Sequence, residues 1–130
     1  MAAIEAPTGT LSISEAATAT GLSAHTLRYY ERAGLMLDRV ERASSSHRRY
    51  SPVDLRWLAL LTRLRRTGMS IRDVRAYAAL VRDGDGNERE RLDLLESHRR
   101  HVRARLRETQ EHLVAIDDKI ALYRAKITAV

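Results

Sequence analysis

From residue 11 apolar positions come in short bursts separated by glycines, and from residue 88 they settle into one long regular rhythm. The bursts predict four short helices. Ser12, with Glu15 three residues later, forms a capping box that opens a helix from Ile13 to about Thr20, and Gly21 stops it. Ser23 caps a second helix, which carries HTLRYYER (25–32) and ends at Gly34. Two short helices across a tight turn at Gly21 and Leu22 have helix-turn-helix spacing. Ser51-Pro52-Val53-Asp54 supplies an N-cap, a proline at the first helical position and an acidic third residue. It opens a third helix to about Arg66, with Leu55, Leu58, Leu61 and Leu64 available to a core. After Gly68, Ser70 and Asp73 cap a fourth helix that turns Ile71, Val74, Tyr77, Ala78 and Val81 inward. Between the second and third helices, LMLDRVERASSSHRRY (35–50) predicts a hairpin. It has a short apolar strand, a polar Ala-Ser-Ser-Ser tip and a return strand ending in Arg48-Arg49-Tyr50.

Asp83-Gly84-Asp85-Gly86 breaks the chain, and the long rhythm follows. Leu92, Leu95, Arg99, Val102, Leu106, Thr109, Leu113, Ile116, Ile120, Tyr123 and Ile127 recur in steps of three and four, and all but Arg99 and Thr109 are apolar. Sustained over about five heptads, this is a narrow seam for one partner helix. A helix of this length reaches about 60 Å, more than the first 86 residues can cover, so the seam is expected to pair with its copy in a second subunit. The alternative is a fold-back within one chain, and no helix breaker between Glu88 and Val130 provides the bend. The expected organisation is a loose tail at 1–10, a compact domain at 11–86 and a coiled-coil helix at 87–130.

Two adjacent tyrosines on the second helix sit about 100° apart and cannot serve the same face. Leu27 marks the buried side. Tyr30 lies about 60° from it and is expected in the core. Tyr29 lies about 160° away, beside His25 and Arg32, and is expected to face outward.

Charge now narrows the partner. The chain carries a formal +6 with a pI near 10.3, and 21 of its 23 basic residues are arginine. Between Ser23 and Arg82 there are 13 arginines against 5 acidic residues. Arginine forks suit phosphates and base edges, and clustered basicity is the electrostatic footprint of nucleic-acid binding. The absence of cysteine removes disulfides, thiolate metal sites and thiol redox sensing. No apolar run approaches a membrane span and MAAIEAPTGT lacks the pattern of a signal peptide, so a cytoplasmic, nucleoid-associated protein is expected. His98 and His101 stand three apart, but His112 lies about 21 Å along the helix from His98 and cannot join their ion within one subunit. Solvated coil histidines, no metal and no cofactor are the expectation. Catalysis is not expected, because the helix-rich core offers only capping and solvated carboxylates.

LSISEAATATGLSAHTLRYYERAGL resembles the helix-turn-helix of the MerR family of bacterial transcription regulators. HRRYSPVDLRWL resembles the family's wing and third helix, LRRTGMSIRDVRAY its second wing-like helix pair, and the last helix its dimerisation coil. The resemblance covers Leu11 to Ile127. It implies a mainly α fold, a winged helix-turn-helix DNA-binding domain followed by a long C-terminal dimerisation helix in an antiparallel coiled coil. It further implies a homodimer that places both recognition helices in successive major grooves of palindromic promoter DNA. The family then bends and untwists an overlong spacer so that RNA polymerase engages both promoter elements.

Carried across by position, Thr26, Arg28 and Tyr29 would face DNA from the recognition helix, flanked by Ser23, His25 and Arg32. Arg48, Arg49 and Tyr50 would reach phosphates from the wing, and Ser70 and Arg72 would meet the backbone at a helix N-terminus. The dimer interface would use Leu92, Leu95, Val102, Leu106, Leu113, Ile116, Ile120, Tyr123 and Ile127. The chain departs from the family at Ser44-Ser45-Ser46, where a wing glycine is frequent, and at Asp38-Arg39, where a proline is common. Arg63 stands where a similar, electrophile-responsive branch often has a cysteine. With no thiol and no ligand-binding domain expected after the coil, any effector is expected to be a small organic molecule. Its expected place is between the coil of one subunit and the winged domain of the other, with Trp57, Met69, Tyr77 and Tyr123 as candidate lining. The competing reading is an architectural, excisionase-like DNA-binding protein without effector control. The long coil argues against it, since it specifies a discrete dimer.

Overall fold

The computed structural model describes residues 9–37, 41–42 and 48–129, with the backbone alone for 41, 42 and 48. The order is β1 (Leu11–Ser12), α1 (Ile13–Thr20), α2 (Ala24–Arg32), β2 (Glu41–Arg42), β3 (Arg48–Tyr50), α3 (Pro52–Arg66), α4 (Ile71–Arg82) and α5 (Glu88–Thr128). The architecture is mainly α, with a small antiparallel sheet that has β3 at its centre. β1 pairs Leu11 with Tyr50 and Ser12 with Arg49, while β2 pairs Glu41 with Arg49 and Arg42 with Arg48.

The helix starts follow from their caps. Ser12 Oγ accepts the Glu15 N–H at 3.1 Å while the Glu15 carboxylate accepts the Ser12 N–H at 2.8 Å. Ser51 and Asp54 repeat the box at 3.1 and 2.9 Å, with Pro52 opening α3. Gly21, at φ +74°, occupies the left-handed region that turns α1 into α2. Ser51→Ala is expected to cost about 1 kcal/mol, read as a lower urea midpoint at unchanged slope.

The Glu15 carboxyl sits below its ordinary range because the Ser12 N–H and then the Ser12 hydroxyl favour its charged form, with Arg49 adding to this. Its folded pKa is therefore below the unfolded one. The resulting stabilisation is present above the ordinary carboxylate range and is lost as pH falls through the lowered folded value. Glu15→Gln keeps an acceptor but not the titration, so its acid unfolding curve is expected to be flatter over that window.

One core serves α1 to α4. Ala16, Leu27, Leu35, Leu58, Leu61 and Val74 are fully or almost fully buried, and Trp57 stacks on Tyr77 with centroids 5.8 Å apart. The hairpin differs from its sequence reading. Leu35 and Met36, which open the expected hairpin, are buried plugs outside any strand, and among the described residues its first strand is β2. Side-chain donors replace a ladder here. Trp57 Nε1 donates to Leu35 O at 2.7 Å, Arg75 Nε to Ala33 O at 2.9 Å, and Arg82 Nη1 to Met36 O at 2.7 Å. With these carbonyls satisfied from α3 and α4, the segment needs no strand partner to be buried. The expected wing-tip features, Asp38-Arg39 and Ser44-Ser45-Ser46, lie outside the described residues.

Thr10 belongs to the anchored chain rather than to a loose tail, since Arg49 Nη2 donates to Thr10 O at 3.1 Å. Gly9, at φ +97°, passes so close to Pro52 that a Cβ would lie 2.8 Å from its Cγ. The rest of the expected tail, residues 1–8, is outside the described residues.

The chain divides into compact units ending at Leu94 and beginning at Leu95. The first turns of α5 therefore go with the preceding helices, beyond the expected boundary at 86/87. Arg91 fastens them by donating to Gly84 O and, at 2.6 Å, to Asn87 Oδ1, while Asn87 Nδ2 donates to Leu80 O at 2.8 Å. From Leu95 onward α5 has no buried residue. Leu106, Leu113, Ile116, Ile120, Tyr123 and Ile127 are exposed along it, and Leu95 and Val102 are half-buried. Val114 and Leu122 are also exposed, outside the seam that the sequence picks out.

Candidate nucleic-acid interface

α2 has two faces of opposite character. Leu27 and Tyr30 are buried, while Ser23, His25, Arg28, Tyr29 and Arg32 are exposed. The adjacent tyrosines separate as the helical period requires: Tyr30 is 7% exposed and Tyr29 39%, with ring centroids 6.0 Å apart and planes at 51°. Ser23 Oγ accepts the Thr26 N–H at 3.0 Å and donates to Thr26 Oγ1 at 3.0 Å. That pair fixes the first turn and half-buries Thr26. The outer face thus offers the Arg28 and Arg32 guanidinium forks, the Tyr29 phenol and the His25 imidazole. These are groups that reach base edges, phosphates and sugars from a helix in the major groove.

A second surface lies at the start of α4. Ser70 Oγ caps it by accepting the Asp73 N–H at 3.0 Å, and Arg72 is exposed in its first turn. An arginine beside a helix N-terminus is a suitable seat for a phosphate.

The wing residues separate. Arg48 has a described backbone in β3, and its side chain is outside the described residues. Arg49 is half-buried, with Nη2 on Thr10 O and, at 3.3 Å, Thr10 Oγ1, so its guanidinium ties β3 to the chain leading into β1. Tyr50 corrects the sequence reading: it is 0% exposed and belongs to the core, out of reach of a phosphate. Successive strand residues point to opposite faces, so Arg49 and Tyr50 could not both face DNA.

The expected effector cleft also needs correction. Trp57, Met69 and Tyr77 are buried, and the Trp57 N–H is taken by Leu35 O, so these three are core residues that offer no lining surface. Tyr123 is exposed on α5, with Lys119 Nζ 5.9 Å from its ring centroid.

The arginine count overstates the number of guanidiniums free to engage a partner. Arg49, Arg65, Arg75 and Arg82 each donate to a backbone carbonyl. Arg28, Arg32 and Arg72, with Arg56, Arg63 and Arg66 on α3, make no such bond among the described residues. Local sequence carries no sign of this division, because the carbonyl partners of Arg49, Arg75 and Arg82 lie about forty residues away along the chain. Among the described residues, no group of three or more His, Asp or Glu could hold a metal ion. No described helix is long and apolar enough to cross a membrane.

Comparison with known proteins gives this geometry its context. Residues 11–80 match the model of the MerR HTH family regulatory proteins, and residues 55–119 match that of the MerR DNA-binding region. An HTH-type transcriptional regulator of Haemophilus influenzae is 37% identical over 115 residues, covering 88% of this chain and 84% of its own. Among solved structures, a MerR-family regulator from Listeria monocytogenes superposes with a TM-score of 0.81 at 39% identity, over 87% of this chain and 85% of its own. HiNmlR, a MerR-family regulator lacking the sensor domain and solved bound to promoter DNA, gives 0.81 at 38% identity, over 90% and 93%. The winged helix-turn-helix, the long last helix and these matches agree: the chain belongs to the MerR family of transcription regulators.

Proposed function

We propose that this protein acts as a homodimer on a palindromic promoter site, reading bases with the outer face of α2 and gripping phosphates from the wing and the start of α4. One observation carries the reading: Arg28, Tyr29, Arg32 and His25 stand outward from the helix whose Leu27 and Tyr30 are locked in the core. Locking matters because base readout needs each fork held at a fixed depth in the groove, and the buried pair sets the rotation of α2 about its axis. Arg28 supplies the bidentate donor pair suited to guanine, and Tyr29 packs on sugar-phosphate with its hydroxyl donating. Arg72 and the capped N-terminus of α4 fix position without reading sequence.

The exposed seam of α5 supplies the second copy. Two recognition helices related by a two-fold axis require a site with matching symmetry. The dimer distorts the promoter spacer, and RNA polymerase then engages both elements. HiNmlR, a relative solved bound to promoter DNA, supports the DNA-binding part of this reading.

The test is selection of the full-length protein against random DNA duplexes, followed by sequencing of the bound pool. A dyad-symmetric site is expected. Enrichment of a single asymmetric half-site, or none above input, would overturn the proposal.

A further inference from the structure

α1 and α3 border a half-open cleft of about 370 Å³, toward the small end of the range for small-molecule sites. Ala19, Leu55 and Ala59 give it apolar walls, and Thr20 and Thr62 add hydroxyls. Arg63 and Arg66 complete the lining, which contains no carboxylate.

The two hydroxyls differ. Thr20 Oγ1 donates to Ala16 O at 2.7 Å and accepts the Leu22 N–H at 3.2 Å. Thr18, Thr67 and Thr128 likewise donate to the carbonyl four residues back. Thr62 does not: its Oγ1 is buried and has no hydrogen-bond partner among the described residues. A buried hydroxyl left this way is destabilising, and a turn about χ1 that carries it to the cleft surface lets a ligand acceptor relieve it. The guanidiniums of Arg63 and Arg66 are exposed or at the rim and make no hydrogen bond among the described residues, unlike the carbonyl-bound arginines.

Apolar walls, one unsatisfied hydroxyl and two cations without an acid define a ligand chemistry. We propose that this cleft binds a small organic carboxylate, with its apolar body against Ala19, Leu55 and Ala59 and its carboxylate on Arg63 and Arg66. The Thr62 hydroxyl, turned about χ1 to the cleft surface, donates to the same carboxylate. Inorganic anions fit less well, because they leave the apolar walls in contact with water. The site is separate from α2 and does not depend on the DNA-binding proposal, since it is read on the protein without DNA.

The experiment titrates benzoate and hexanoate into the isotope-labelled, full-length protein and follows backbone amide shifts. Saturable shifts centred on Thr20, Ala59 and Thr62 are expected. Arg63→Gln, which removes a charge-assisted bond at an exposed position, and Ala59→Leu, which fills the cleft, are each expected to weaken binding by about tenfold. Benzamide, the neutral counterpart of benzoate, is expected to lose a similar factor. The proposal fails if neither carboxylate saturates in the millimolar range, or if both variants bind as the wild type does. It also fails if sulfate or benzamide binds as tightly as benzoate, since charge or shape alone would then account for the binding.

Discussion

Leu113→Asp is expected to convert the proposed homodimer into monomers at micromolar concentration. Leu113 is 53% exposed on the single chain and lies on a stripe with Leu106, Ile116 and Ile120, all similarly bare. Such a stripe is tolerated in water only if something covers it, and a two-fold partner brings the same stripe. Symmetry also doubles the penalty, because each substitution enters the interface from both helices. Loss of a buried leucine contact and burial of an unpaired carboxylate each cost about 2–3 kcal/mol or more. Two copies therefore raise the dissociation constant by at least about a thousandfold. Sedimentation equilibrium measures this directly. Arg107→Asp, about 120° round the helix from Leu113, serves as the control for added charge and is expected to remain dimeric. A monomeric wild type, or a dimeric Leu113→Asp, would remove the seam from the account.

The sequence showed most clearly what is encoded within one turn of chain. The Ser12/Glu15 and Ser51/Asp54 boxes and the Ser23 and Ser70 caps are contacts between residues three apart, and they appear in the structure where the spacing puts them. The division of Tyr29 from Tyr30 was legible for the same reason, since the helical period alone decides it. β1 was not legible: two residues are too few for an alternating pattern, and Leu11-Ser12 is also the lead-in to a capping box. Arg48-Arg49-Tyr50 reads as one basic group, but strand alternation sends Tyr50 inward against the residues paired by β1. Trp57 and Tyr77 suggested a ligand cleft because aromatics serve both purposes. What decides between them is the Leu35 carbonyl that receives the Trp57 N–H, and nothing local in sequence announces it. The α1–α3 cleft was hidden for a related reason, as its walls come from small residues some forty positions apart.

Arg28→Ala and Arg72→Ala are expected to weaken DNA binding in two different ways, and the difference tests how the interface is divided. Arg28 stands on the outer face of α2 beside Tyr29, anchored in rotation by Leu27 and Tyr30, so in the proposed complex its loss is expected to remove a base contact. Specific affinity is expected to fall by about 10- to 100-fold per half-site, with little change on unrelated DNA, so discrimination shrinks. Arg72 is exposed at the start of α4, where the proposed complex gives it phosphate alone. Its loss weakens binding to all sequences alike and lowers the salt slope by about 0.9 per contact, close to 2 for a dimer. Arg72 is a cleaner probe than Arg49, whose removal also frees Thr10 from β3 and so mixes stability into the reading. Fluorescence anisotropy on specific and scrambled duplexes over a range of salt separates the cases. If Arg28→Ala lowers the salt slope as Arg72→Ala does and leaves the ratio of specific to scrambled affinity unchanged, then Arg28 is a phosphate contact and the bases are read by other residues of α2.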